Sequence, residues 1–327
     1  MVQNILLTRR WPQEIETKMT RLAQGRAALN FNNDDLPFTR DQLQEALQTS
    51  EILCPTVTDH IDGDMLSAPG VVTKLIANFG VGFNHIDMQV AKAQGIVVTN
   101  TPGVLTEATA EIALTLLLSV ARRTGEGERL VRAGQWQGWN PTHMMSTQVT
   151  GKTLGIVGMG RIGLDMAQKA HFGLGMRIIY NNRSALPDEV ADRLSATHVS
   201  LDELLASSDF VSLHCPATTE TRHLINAEKL AAMQPHSFLI NTARGDVVDE
   251  VALVDALQQG VIAGAGLDVY EAEPALASGL VGLENVVILP HMGSGTRESR
   301  TRMGQCALDN ILAFLDQEPL PNLVNVE

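Results

Sequence analysis

The segment Thr153-Leu-Gly-Ile-Val-Gly-Met-Gly-Arg-Ile-Gly163 decides the fold of this chain. It reads as a short apolar strand, a turn with the spacing Gly158-x-Gly160-x-x-Gly163, and an amphipathic helix that continues to Ala170. In this context the first glycine makes a tight turn, the second lets the backbone approach a pyrophosphate, and the third lets helix and strand pack closely. The N-terminus of the helix adds N–H donors and a positive dipole for the anion. The segment therefore predicts a dinucleotide site rather than a plain tight turn.

Length and composition narrow the class of protein. A chain of 327 residues, 44% of them hydrophobic, is long enough for about two globular domains with substantial cores. Its 24 basic and 37 acidic residues give a net charge of −13, and no run of Lys or Arg stands out. This balance disfavours nucleic acid as a partner, and a small anionic substrate would need a local positive site.

The cysteines and the N-terminus exclude several further classes. Cys54, Cys215 and Cys306 are widely spaced, so we expect neither a metal site nor a disulfide framework. The first residues lack the order of a signal peptide, in which a basic region precedes an apolar one. No uninterrupted apolar segment of about 18 residues is present to cross a membrane. We expect a cytoplasmic protein with no membrane partner.

Strand-like and helix-like segments alternate on both sides of the glycine motif. Before residue 102, predicted strands fall at 3–8, 51–55, 72–79 and 95–102. Such alternation is typical of βαβ units in a parallel sheet. We predict an α/β fold with two Rossmann-like domains, each a doubly wound parallel sheet. Residues 102–292 form an internal dinucleotide-binding domain with about six strands, and residues 1–101 plus 293–327 form a flavodoxin-like substrate-binding domain.

The segment after residue 103 has an unusual pattern. A long helix is predicted from Val104 to Arg123, and its apolar positions cover most of its circumference. A helix of this kind is buried between domains or between subunits. The following arm, Glu126 to Thr150, carries Trp136 and Trp139, and we expect both tryptophans to lie in a loop. Two tryptophans on an arm indicate a partner surface, although local packing on the parent domain stays an alternative.

Motifs that together indicate one family lie at 78–87, 99–103, 153–163, 241–246, 266–274 and 289–294. With them the chain resembles the D-isomer-specific 2-hydroxyacid dehydrogenases over essentially its whole length. Within that family it is most similar to the glyoxylate/hydroxypyruvate reductases, also called D-glycerate dehydrogenases. The resemblance implies NAD(P)-dependent reduction of glyoxylate and hydroxypyruvate to glycolate and D-glycerate. It also implies a homodimer, which we expect to form through helix 104–123 and the tryptophan arm.

Three residues are the candidate catalytic set. Arg244 follows the predicted strand 237–241, and its planar guanidinium suits a carboxylate. His291 follows the predicted strand 285–289, and a histidine can carry and deliver a proton near neutral pH. Glu273 also follows a strand, and a carboxylate beside an imidazole favours its protonated form. In the family the matching Arg, Glu and His are catalytic.

The resemblance assigns further positions. It implies that the backbone N–H groups of Val81 and Gly82, together with Arg244, bind the substrate carboxylate. It also implies a cofactor site, in which Asp268 meets the nicotinamide end. The remaining cofactor positions are Thr109, Gly158, Gly160, Arg161, Ile162, Thr242, Ala243 and His291.

One segment departs from the NAD-binding pattern. NAD-specific Rossmann domains place an acid about 20 residues past the glycines, where it binds the ribose hydroxyls. Here the segment is Asn182-Arg183-Ser184, and the next acid is Asp188, after a proline. Loss of an acid and gain of a guanidinium accommodate a 2′-phosphate, so we expect NADP(H) to be preferred, with NAD(H) possible. The alternative is that Arg183 is a solvated loop residue.

Other functions stay open at this point. One alternative is a reductase of a bulkier 2-oxoacid such as phenylpyruvate, because the sequence does not define the side-chain pocket. Another is a non-catalytic dinucleotide-sensing scaffold. The complete Arg244, Glu273 and His291 set argues against the scaffold, because a sensor needs no proton donor.

Overall fold

A computed structural model describes residues 3–325, and the chain divides into two compact units. Unit 1 comprises Met1–Leu105 with Ser294–Glu327, and unit 2 comprises Thr106–Gly293. The sequence places the boundaries after residues 101 and 292, and the functions expected for the two domains stay predictions. The predicted α/β class with two parallel sheets is confirmed.

Unit 1 contains a five-stranded parallel sheet. Its strand order is β2-β1-β3-β4-β5, which is the order found in flavodoxin. The strands are β1 Gln3–Leu7, β2 Ala27–Phe31, β3 Ile52–Cys54, β4 Leu75–Ala77 and β5 Val97–Thr99. The helices, numbered along the whole chain, are α1 Gln13–Ala23, α2 Arg40–Thr49, α3 Gly63–Ser67, α4 Met88–Ala93 and α12 Arg297–Asp316.

The C-terminal helix completes the core of unit 1. Met303, Leu308 and Ile311 on α12 form one buried hydrophobic cluster with Ile5 and Leu7 of β1. A half-buried strand face needs such a covering element before its apolar side chains leave water. The segment after residue 293 therefore returns to the sheet that the first hundred residues build.

Unit 2 contains a seven-stranded parallel sheet of order β12-β11-β10-β9-β6-β7-β8. Counted from β6, this is the 3-2-1-4-5-6 order of dinucleotide-binding domains with one strand added. The strands are β6 Thr153–Val157, β7 Arg177–Asn181, β8 Thr197–His198, β9 Phe210–Leu213, β10 Phe238–Asn241, β11 Gly264–Leu267 and β12 Val286–Ile288. The helices are α5 Thr106–Ala121, α6 Thr124–Arg132, α7 Arg161–Leu174, α8 Asp188–Leu194, α9 Leu201–Ser207, α10 Ala227–Ala231 and α11 Glu250–Gln258.

Successive residues of the central strands of unit 2 belong to hydrophobic clusters on opposite faces of the sheet. In β10, Leu239 belongs to the cluster formed with α9, α10 and α11, whereas Ile240 belongs to the cluster formed with α5 and α7. Successive side chains of a strand point to opposite faces, so a sheet covered by helices on both faces buries every position. This explains why every residue of β9 and β10 is buried.

Some elements differ from the sequence expectations. The arm begins with a helix that the sequence analysis did not name, α6, which extends from Thr124 to Arg132. Two glycines lower the helix propensity of this segment, which weakens its sequence signal, and the Arg129–Glu284 and Arg123–Glu126 ion pairs lie along the helix. Trp136 and Trp139 do lie outside any helix or strand, with 54% and 81% of their surface exposed.

Two strands were not anticipated from the sequence. Strand β2 alternates between half-buried and exposed residues, and β8 has only two residues. Both are edge strands, which bury too little to produce a strong apolar pattern. The sheet of unit 2 therefore has seven strands where about six were expected. Within residues 3–325, every helix is too short or too polar to span a membrane.

Candidate active site

The glycine turn after β6 has the geometry that its spacing predicts. Gly158 has φ of +93°, and a Cβ there would lie 2.6 Å from the backbone nitrogen of Cys215. A Cβ on Gly160 would meet no described atom within 4 Å. Arg161 and Ile162 begin α7, whose first N–H groups receive no side-chain cap in the described chain. The turn thus leaves open space and free donors beside a helix N-terminus, which fits a phosphate group.

Buried polar atoms at the neighbouring strand ends also fit a polar ligand. The Thr242 hydroxyl, directly after β10, and His214 Nδ1, directly after β9, are buried without a hydrogen-bond partner in the described part of the chain. Burial lowers the pKa of His214 to about 4, so its ring is neutral, and its Nε2 lies 2.8 Å from the Ser212 hydroxyl. Buried polar groups without partners are rare, and a bound dinucleotide would supply partners here.

Asn182 links the end of β7 to the glycine turn. Its side-chain oxygen accepts a hydrogen bond from the Met159 N–H at 3.2 Å, and its carbonyl oxygen lies 3.0 Å from His198 Nε2. Arg183 and Ser184, which follow it, are exposed. The Thr218 hydroxyl, and to a smaller extent the positive charge of Arg183, lower the pKa of Glu220. Arg183 is therefore a solvent-facing cation next to a residue that anchors the glycine turn.

His291 and Glu273 form a direct pair in unit 2. His291 Nδ1 lies 2.7 Å from Glu273 Oε2, and Glu273 Oε1 accepts a hydrogen bond from the Tyr270 N–H at 3.0 Å. The two side chains are 30% and 26% exposed, so the pair can be reached from solvent. With Nδ1 bound to the carboxylate, Nε2 is the nitrogen on the other side of the ring. The structure thus brings together two of the three predicted catalytic residues by direct contact.

The environment of Glu273 keeps it ionised. Burial alone would raise the pKa of this carboxyl. The hydrogen bond and the charge of His291 oppose burial, with help from the Tyr270 N–H and the charge of Arg244, and the pKa of Glu273 falls below its ordinary value. At neutral pH the pair therefore has a carboxylate that favours a protonated imidazole and orients the ring.

Asp268 holds the backbone that follows His291. It is 1% exposed, and its two carboxyl oxygens accept hydrogen bonds from the N–H groups of Met292 and Gly293, each at 2.7 Å. Burial raises the pKa of Asp268, although these N–H groups and His291 oppose the rise. The Thr109 hydroxyl donates to the Gly293 carbonyl at 3.3 Å. Two predicted cofactor residues thus fix the segment that carries His291.

Arg244 lies in the turn after β10, close enough to Glu273 for their charges to interact. Its Nη1 donates to the Ala243 carbonyl at 2.7 Å. Burial lowers the pKa of Arg244, while the charges of Glu273 and Asp246 oppose the change. The next residue must be glycine, because a Cβ on Gly245 would lie 1.8 Å from the carbonyl carbon of Tyr270. This close approach packs the Arg244 turn against the Glu273 loop, and the sequence analysis did not anticipate it.

Val81 and Gly82 lie in unit 1, in the loop that follows β4. The Val81 carbonyl accepts from the Asn100 side chain at 2.8 Å, and the Gly82 carbonyl accepts from the Asn78 side chain at 2.9 Å. Within residues 3–325 the N–H groups of Val81 and Gly82 have no acceptor. Two adjacent N–H groups whose carbonyls are tied elsewhere suit an anion such as a carboxylate. Asn78 and Asn100 were missed from the sequence.

No cluster of three or more His, Cys, Asp or Glu side chains in the described residues is arranged to hold a metal ion. The donors at the site are instead N–H groups, a guanidinium and an imidazole. These groups bind anions and transfer protons.

Known proteins similar to this chain are dehydrogenases and reductases. Residues 114–293 match the family described as D-isomer specific 2-hydroxyacid dehydrogenase, NAD binding domain. A glyoxylate reductase of Thermococcus litoralis is 47% identical over 291 residues, which cover 88% of this chain and 87% of that protein. A protein of known structure from Thermus thermophilus is 41% identical, with a TM-score of 0.88 and coverage of 98% of this chain and 100% of that chain. The crystal structure of a glyoxylate reductase from Paecilomyes thermophila is 33% identical, with a TM-score of 0.87 and coverage of 99% and 98%.

We expect the stability difference between the wild type and His291→Ala to shrink as pH falls. The pKa of Glu273 lies below its ordinary value of 4.5, so its contribution is present above that value and is lost as pH falls through the lowered pKa. In His291→Ala, Glu273 stays buried but loses its hydrogen bond to His291, so the pKa of Glu273 rises. The variant therefore no longer loses this contribution to stability as pH falls. Urea denaturation of both proteins from about pH 7 to about pH 4 measures the difference. A difference that is constant or grows toward acid pH contradicts the coupling.

Proposed function

Because the chain belongs to the D-isomer-specific 2-hydroxyacid dehydrogenases, of the glyoxylate reductase type, we propose that it reduces glyoxylate and hydroxypyruvate with NADPH, and that His291 is the proton donor. It is an oxidoreductase that acts on small 2-oxoacids with a nicotinamide dinucleotide. The observation that carries the proposal is the 2.7 Å contact between His291 and Glu273, in the unit that also contains the glycine turn. A proton donor beside a dinucleotide site is what carbonyl reduction requires.

In the proposed reaction, different groups bind the substrate and transfer the proton. When bound, a reduced nicotinamide would supply the hydride. Arg244 binds the substrate carboxylate through its guanidinium. In unit 1, the adjacent N–H groups of Val81 and Gly82 suit a carboxylate. His291 delivers the proton from Nε2 to the carbonyl oxygen, which becomes the alcohol. Glu273 keeps the charged ring oriented throughout, because it holds Nδ1.

In this arrangement, electrostatic interactions would stabilise the charge that develops on the substrate during reduction. Negative charge develops on the carbonyl oxygen as the carbon is reduced, and a protonated imidazole stabilises that charge before it transfers its proton. The lowered pKa of Glu273 means that the carboxylate stays charged while the imidazole changes state. In the reverse direction, oxidation of the hydroxy acid requires the neutral ring as a base.

The proposed cofactor preference rests on the residues after β7. Asn182 stands where an NAD-specific domain has an acid, and its side-chain oxygen is already bound to the Met159 N–H. Arg183 is exposed beside it and can meet an added phosphate. The same residues leave room for NADH, which lacks only that phosphate.

The substrate choice has one competing proposal, a bulkier 2-oxoacid such as phenylpyruvate. The experiment that decides is a panel of glyoxylate, hydroxypyruvate, pyruvate and phenylpyruvate, each followed by nicotinamide absorbance. We expect the highest kcat/KM with glyoxylate and hydroxypyruvate. A clear preference for phenylpyruvate would replace the substrate assignment, and dinucleotide binding without turnover on any substrate would favour the sensing scaffold.

We predict that the acid and its partner can be separated by pH. His291→Ala should lower kcat by about 10²–10⁴-fold, the usual contribution of general acid–base catalysis. Glu273→Gln removes the carboxylate that favours the charged ring, so reduction should fade at a lower pH than in the wild type. Arg244→Ala should raise KM for the 2-oxoacid and lower kcat. If Glu273→Gln keeps the wild-type pH profile while His291→Ala is inactive, the pairing is wrong although the acid is right.

We predict that Arg183→Ala raises KM for NADPH about ten- to hundredfold, because a hydrogen bond to a charged group contributes roughly 1.5–3 kcal/mol. KM for NADH should change little, since NADH has no 2′-phosphate. Arg177→Ala serves as a control, because Arg177 is an exposed cation at the start of β7, the strand that precedes Arg183. Equal losses with both cofactors would exclude Arg183 as the group that recognises the phosphate.

We propose a homodimer formed through α5 and the arm with Trp136 and Trp139. Both tryptophans are exposed, at 54% and 81%, and large apolar side chains grouped on an arm mark partner surfaces. Light scattering at micromolar concentration should give twice the mass of one chain, and Trp139→Ser should shift the equilibrium toward the monomer. One chain's mass for the wild type would refute the proposal.

A further inference from the structure

A single buried carboxylate holds both ends of the loop that contains Glu273. Glu250 lies at the start of α11 and is 6% exposed. Its Oε1 accepts a hydrogen bond from the Glu271 N–H at 2.7 Å, and its Oε2 accepts one from the Ala277 N–H at 3.2 Å. Glu273 lies between these two points of attachment. The loop is therefore fixed by a residue outside it, more than twenty positions earlier in the chain.

This carboxylate is held without a cation. None of the ion pairs between described residues includes Glu250. Burial raises the pKa of Glu250, and the charges of Glu271 and Glu273 add to the rise, against the two backbone N–H groups. A buried carboxylate is unfavourable unless hydrogen bonds compensate its desolvation, and for Glu250 the N–H groups of Glu271 and Ala277 supply them. A glutamine would keep only one oxygen for the two N–H groups.

Hydrogen bonds and one pair of adjacent residues connect Glu250 to His291. The Glu271 N–H that binds Glu250 is adjacent to Tyr270, whose own N–H binds Glu273 Oε1 at 3.0 Å. Glu273 Oε2 then lies 2.7 Å from His291 Nδ1. We propose that Glu250 is a positioning residue for catalysis, because it fixes the loop that keeps Glu273 within hydrogen-bond distance of His291. This inference rests on the proposed acid role of His291.

The adjacent residue provides a matched control. Asp249 is also a carboxylate at the start of α11, but its side chain caps the helix by accepting the Ala252 N–H at 3.0 Å. Asp249→Ala weakens the same helix without removing a bond to the Glu273 loop. A purely structural role of Glu250 would make the two substitutions alike, whereas a positioning role makes them different.

The test compares Glu250→Gln with Asp249→Ala in the full chain. Glu250→Gln should lower kcat and displace the pH profile of reduction to lower pH, by about half to one unit, in the direction expected for Glu273→Gln. Asp249→Ala should lower the midpoint temperature of thermal unfolding and leave the pH profile of reduction unchanged. In the double variant Glu250→Gln with Glu273→Gln, the shift should not exceed that of Glu273→Gln alone, because both changes remove one interaction.

A second readout does not depend on turnover. In a histidine NMR titration, with the His291 signal assigned from His291→Ala, Glu250→Gln should lower the titration midpoint of His291. Asp249→Ala should leave it unchanged. An unchanged midpoint in Glu250→Gln overturns the positioning role, even when stability falls. If the midpoint moves but the wild type reduces no 2-oxoacid, the positioning holds and the proposed function is the part that fails.

Discussion

Both sheets are parallel throughout, and this constraint determines where the polar turns of each sheet lie. Parallel neighbours cannot be joined by a tight hairpin, so each strand returns through a longer crossover. The carboxyl ends of the strands in unit 2 therefore lie along one edge, and the turns that follow them carry the polar groups. In chain order, the residues directly after β6, β9, β10 and β11 are Gly158, His214, Thr242 and Asp268, and His291 comes shortly after β12.

Irregular turns at such an edge need their own support, because no ladder pairs their backbone groups. Unit 2 supplies it with buried carboxylates. Asp268 binds the N–H groups of Met292 and Gly293, and Glu250 binds those of Glu271 and Ala277. In both cases burial raises the pKa, and backbone donors oppose the rise. Buried acids thus fix the backbone that follows His291 and the loop that contains Glu273.

The overall charge of the chain says little about its ligands. A net charge of −13 would repel an anionic substrate, yet Arg244 and the N–H groups of the glycine turn present local positive charge. Arg244 is buried enough for its pKa to fall, but Glu273 and Asp246 oppose that change. Because attraction weakens with distance and is screened in water, a few groups near the ligand outweigh an acidic surface.

The sequence alone determined the features that depend on neighbours along the chain. The strand–helix alternation defined the α/β class, and the spacing of Gly158, Gly160 and Gly163 defined the turn, because steric demands at a turn are local. The family motifs also led to Arg244, Glu273 and His291 as candidates. Short edge strands such as β2 and the glycine-containing helix α6 were not predicted, because their local sequence signals are weak.

Only the tertiary structure decided which groups meet. Glu250 and Ala277 are 27 positions apart, and Asp268 and Gly293 are 25 apart, so no periodicity connects them. Their contacts exist because strand order places the turns after β10, β11 and β12 side by side. The same packing makes glycine necessary at position 245, where the backbone of Tyr270 fills the space of a side chain. Local chemistry along the chain thus supplied the candidate residues, and the crossover topology of a parallel sheet brought them into contact.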